Sequence, residues 1–99
     1  MNEEIEFLLY SKERLEKRER ELEGLLRLEV ERLRREIEMA MRLTGAEEEG
    51  FEKKVESQLK EVLRNHPKGE KAREIAREIE KIRRKTEEIE KTLNFLRKR

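Results

Sequence analysis

The chain has 99 residues, 52% charged and 33% apolar, with 26 Lys and Arg set against 25 acidic side chains for a net charge of +1. That length limits it to a single domain, 1–99, with a narrow core, and so even a charge balance excludes a dedicated nucleic-acid or anionic-membrane surface, which needs a charge excess. No cysteine is present, so disulfides and thiolate chemistry are excluded; the longest apolar run, Phe7 to Tyr10, falls far short of the ~20 residues of a membrane span or the roughly 7–15 of a signal-peptide core, and a cytoplasmic protein is expected.

In chain order, the first predicted element is a long helix over about 3–43. Asn2 suits its N-cap, and Glu3 and Glu4 complement the positive end of the helix dipole. Its second half is broad and apolar, with Leu22, Leu26, Val30, Leu33, Ile37, Ala40 and Met41 on one face and Leu25 and Leu43 at the edge. Its first half is sparse: Ile5, Leu8 and Leu15 continue the same face, but Ser11 to Glu21 holds a single leucine. Gly24 costs up to ~1 kcal/mol inside a helix relative to alanine, and a break there, giving four helices, is the alternative. Gly45 suits a left-handed helix end. Thr44 and Glu47 have capping-box spacing, which predicts a second helix over about 47–65 with Phe51, Val55, Leu59, Val62 and Leu63 on one face.

Pro67 biases His66 away from the helical region and fits the first turn of a third helix, about 68–98. There Ala72, Ile75, Ile79, Ile82, Thr86, Ile89, Leu93 and Leu96 follow an unbroken 3-4 spacing, the seam of a left-handed supercoil. All 25 acidic residues are glutamate, a good helix former, where aspartate competes for its own backbone. Pairs such as Glu13/Lys17, Glu80/Arg84 and Glu87/Lys91 stand in the favourable i,i+4 order.

Short connections predict an all-α, three-helix up-down-up bundle, with long first and third helices extending beyond a short second one. Two apolar ends should then project from the block. One carries Ile5, Phe7, Leu8, Tyr10, Lys12, Leu15, Glu19 and Leu22; the other carries Ile89, Leu93, Phe95 and Leu96. Leaving such side chains in water forfeits about 1.5–3 kcal/mol each. They are therefore the candidate interface, and the expected partner is a second copy of the chain or a helical peptide or protein. Antiparallel pairing of two copies about Leu15 would bring Leu8 to Leu22 and Lys12 to Glu19 of the mate.

Other features have plainer readings. His66 is the lone histidine, with no second His or Cys to complete a metal site or catalytic set, and reads as a turn residue. No catalytic, cofactor or metal residue is assigned, and no enzyme activity is expected. Glu29 falls within the apolar face; a carboxylate of raised pKa is one reading, and an edge residue reaching an arginine or water is the expectation. The clusters Arg83–Lys85 and Arg97–Arg99 are flanked by glutamates or end a helix, where cations complement the dipole. Phe7, Tyr10, Leu25, Leu28, Met39 and Leu43 form a second, looser stripe on the far side of the first helix, a possible docking face.

Glutamate as the sole acid, "HPKGEKAREIAREIEKI" as a turn leading into an idealised helix, and the periodic seam of the third helix together resemble computationally designed helical bundles. The resemblance spans the whole chain and implies a made scaffold, assembly subunit or binder. Gly24, the unequal helix lengths and the polar Ser11–Glu21 stretch depart from a minimal bundle. A thermophile coiled-coil protein shares the Glu, Lys, Arg and Ile richness and is the rival origin.

Overall fold

The structure, a computed structural model, describes residues 2–45 and 49–98. Among the described residues, three α-helices follow one another: α1 (Glu3–Leu43), α2 (Phe51–Asn65) and α3 (Glu70–Arg97), with a 3-10 turn at Pro67–Gly69 before α3. This is the expected all-α architecture, in which two long helices extend beyond a short middle one.

Local chemistry sets the boundaries. The Asn2 carboxamide oxygen accepts from the Glu4 N–H at 3.0 Å, satisfying one of the orphan donors at the start of α1. α1 runs through Gly24 without a break. It ends where Gly45 takes a φ of 75° and donates its N–H to the Arg42 carbonyl, the left-handed end expected there. α2 begins at Phe51, later than about residue 47, because Gly50 sits at φ 86° and cannot continue a helix. Glu47, the other half of the expected capping box, lies outside the described residues. His66 ends α2, and its Nδ1 accepts from the Lys68 N–H at 3.1 Å to start the 3-10 turn.

The path of α3 departs from the up-down-up expectation. Lys68 at its start pairs with Glu36 at 3.4 Å, Arg83 with Glu19 at 3.1 Å and Lys12 with Glu90 at 3.3 Å. Numbers rise along one helix as they fall along the other, so α3 runs antiparallel to α1. Between the last two pairs each helix advances seven residues (19 − 12 and 90 − 83), one heptad in register. Burial explains the choice. Directed this way, the whole seam of α3 meets α1, whereas an upward path would leave half of it, and Ile5, Leu8 and Leu15, in water. Leu93 is 3% exposed, and Ile5, Leu8, Leu15, Ile89 and Leu96 are half-buried. The two ends therefore extend past α2 side by side, each covering the other.

The core is correspondingly thin. Leu22, Ile79 and Ile82 form one buried cluster with Leu15 and Ile75 at its margin; Leu33, Leu59 and Ala72 form a second, joined by Val30, Ile37, Val62 and Leu63. Leu26 packs against both. Ala40, placed on this face by spacing, is exposed. α2 lies beside the last turns of α1, with Phe51 under the Arg42 guanidinium at 5.4 Å and Glu56 paired with Arg34. The molecule measures 67 × 21 × 18 Å, about two helix diameters across. Its radius of gyration, 19.9 Å, far exceeds the roughly 13 Å of a compact domain of this length.

Candidate functional site

The residues assigned from sequence to an interface divide into two sets. Leu22 and Leu93 are buried, and Ile5, Leu8, Leu15, Ile89 and Leu96 are half-buried between α1 and α3. Lys12 and Glu19 do not await a second copy: Glu90 and Arg83 of α3 hold them at 3.3 and 3.1 Å. The seam expected to meet a mate about Leu15 is thus occupied by the chain's own third helix. Phe7, Tyr10 and Phe95 remain at the surface, 67%, 56% and 61% exposed.

Phe7 and Tyr10 belong to the outer stripe of α1. Leu25, Leu28, Met39 and Leu43 are exposed with them, Leu43 the most at 83%. At about 100° per residue, all six fall within an arc of roughly 60° on a straight helix. Phe7, Leu25 and Leu43 are each eighteen residues apart (25 − 7 and 43 − 25), about five whole turns, and so stand in one line. The α1 core face, on Leu22, Leu33 and Leu26, points elsewhere, which is why α3 and α2 leave this line open. Charged residues fill its gaps. Arg14 lies over the Tyr10 ring at 5.7 Å, and Arg18 pairs with Glu21 at 3.4 Å. Farther up, Arg32 bonds Glu29 and Glu36.

Glu29 is the single buried charged side chain among the described residues, at 5% exposure. Arg32 grips it bidentately, with Nε donating to Oε1 at 2.9 Å and Nη2 to Oε2 at 2.7 Å. Those bonds hold the carboxyl below its ordinary value; burial opposes them, and Lys71 adds a smaller attraction. The raised-pKa reading is therefore reversed in sign. Arg32 also bonds Glu36, and Glu36 bonds Lys68 at 3.4 Å, so this network ties α1 to the start of α3.

A groove opens below α2 between the long helices. Leu26, Val30, Ala76 and Ile79 line its floor, and Glu23, Arg27, Glu31, Glu80 and Arg83 its rims. Leu26 and Val30 also pack against the cluster that includes Leu59 of α2, so the groove prolongs the seat that α2 occupies. It closes below, where Arg83 reaches Glu19 and Glu23 and then Lys12 meets Glu90.

Two positions escaped sequence reasoning. A Cβ at Gly69 would stand 2.1 Å from the Val62 carbonyl oxygen. Arg73 donates to the carbonyls of Val62 and Leu63 at 3.1 Å each and of His66 at 2.9 Å, closing the carbonyl end of α2 as a cation can. Nothing in the spacing of a single arginine announces such a reach.

Among the described residues, no three His or Glu side chains converge as metal ligands would, and no helix is long and apolar enough to cross a membrane. The chain matches no protein-family model, no curated protein and no solved structure.

Proposed function

We propose that this chain is a non-enzymatic helical module, made as a scaffold, that assembles with further copies of itself. One observation carries the reading: six large apolar side chains, Phe7 to Leu43, lie exposed in line along the outer face of α1. Single apolar residues on a surface need no explanation; six of them aligned on one helix face, with charged residues in the gaps, suit an association face. The glutamate-only acids and idealised seam of α3 support a made origin.

Multi-angle light scattering over a concentration series tests it. The mass is expected to rise from the 12.1 kDa of one chain towards a multiple of it, and the melting temperature with it. A mass of one chain at every concentration overturns the reading.

A second reading, a binder of a helical peptide, rests on the groove floored by Leu26, Val30, Ala76 and Ile79. Its ion-paired lower limit restricts an occupant to a few turns. It predicts a single chain in solution that gains mass only when a short amphipathic peptide is added.

A further inference from the structure

Resting on the self-assembly reading, we infer that the assembling unit is a two-fold antiparallel dimer in which the outer stripe of α1 meets itself, centred on Leu25. The spacing of the stripe points to this arrangement. Phe7, Leu25 and Leu43 are evenly placed, eighteen residues apart, on one line of the helix. A two-fold axis at Leu25 maps such a line onto itself: Leu25 meets Leu25, Phe7 meets Leu43, and Tyr10 falls beside Met39. Equal spacing lets a two-fold axis set apolar on apolar at all three of these positions, as an isologous interface needs; Leu28, whose mirrored position is the buried Leu22, lies beside the axis instead.

Charge follows the same axis. Arg14, which stacks on Tyr10, comes opposite Glu36 of the second copy. Arg18 and Arg32 come opposite one another, but each already carries a glutamate of its own helix, Glu21 and Glu29 respectively. Glu21 also lies diagonally across from Arg32 of the second copy.

The area suffices as well. The strip from Phe7 to Leu43 is about 54 Å long and a helix is about 10–12 Å wide, so pairing covers about 600 Å² a side and roughly 1,200 Å² in all, above the ~1,000 Å² expected of a specific interface. All six stripe residues are exposed in the single chain, so none of them must leave α2 or α3 to form it.

The full chain contains no cysteine, which makes cross-linking clean. Leu25→Cys, Phe7→Cys and Leu43→Cys all fall at positions at least half exposed or nearly so, and circular dichroism checks that each variant keeps its helices. Under mild oxidation or with a short bis-maleimide, Leu25→Cys alone is expected to give a covalent dimer. Phe7→Cys and Leu43→Cys are expected to join when mixed and to stay single when separate. In the otherwise unchanged chain, Leu25→Glu sets two carboxylates against each other at the axis and is expected to weaken dimerisation at least tenfold without lowering helix content. Phe7→Cys joining to itself, or the absence of these cross-links in a sample that light scattering finds associated, overturns this interface and leaves self-assembly standing. Unchanged association of Leu25→Glu does the same. A single-chain mass at all concentrations removes both.

Discussion

At the scale of residues, two glycines behave in opposite ways. Gly24 lies within a continuous helix with nothing within 4 Å of where a Cβ would stand. Gly24→Ala should therefore raise the unfolding free energy by about 0.5–1 kcal/mol, through helix propensity alone. Gly69 touches the Val62 carbonyl, and Gly69→Ala should lower it by about 1–3 kcal/mol, as overpacking does. Urea unfolding of the two variants measures both; a stabilising Gly69→Ala would refute the close approach. Glu29 and Glu70 supply a pH dependence of definite sign. Arg32 lowers the first carboxyl, and Arg73 then Arg77 the second. A folded value below the ordinary 4.5 means stability that is present above that pH and lost as pH falls through the lowered folded values. Urea midpoints taken from pH 6 down to pH 3 should fall, and Glu29→Gln should flatten the acid limb. An acid limb as steep in that variant as in the parent would show that the Arg32 pair contributes nothing to it.

At the scale of elements, the antiparallel course of α3 decides which residues hold the molecule together. Leu93→Ala should cost about 2–3 kcal/mol, towards the lower end for a buried leucine because so thin a rod can partly collapse. Phe95→Ala, two residues away and 61% exposed, should stay within about 0.5 kcal/mol; equal losses in the two variants would place Leu93 outside the core. Much of this level was legible beforehand. The Asn2 cap, the Gly45 end, the long-short-long order of the helices and every seam position of α3 from Ala72 to Leu96 are local signals, and each is found as read; the start of α2 is not, because Gly50 holds it back to Phe51. The direction of α3 was not. A 3-4 seam is apolar on the same face whichever way the helix runs, and a connection of four residues can send it along either course. What selects the course is non-local: burial of the α3 seam against α1, with the Gly69 approach to Val62 and the Arg73 bonds to the end of α2 fixing the turn that leads into it. The stripe from Phe7 to Leu43 was visible from spacing, because α1 has two apolar lines and one bundle uses only one. Lys12 and Glu19 were misassigned to a mate because sequence alone cannot tell an internal partner of opposite charge from an external one.

At the scale of the whole molecule, nine buried apolar side chains among the described residues are spread along a rod 67 Å long. Hydrophobic burial supplies the stability, about 1.5–3 kcal/mol for each large side chain; the exposed ion pairs between the helices add little and weaken in salt, but they fix register. Raising salt should accordingly leave the unfolding midpoint nearly constant while easing local opening of the α1–α3 seam, read as faster amide exchange around Leu8 and Leu93. Loss of the cooperative transition in salt would mean that charge, not burial, holds the rod. The seven-residue step shared by the Arg83–Glu19 and Lys12–Glu90 pairs, carried one heptad further, sets Ile5 beside Arg97. Handles fixed at Glu3 and Arg97 would thus tug on neighbouring points at one tip. Load would fall on a single rung at a time, and the two long helices would unzip at low force instead of shearing as a unit.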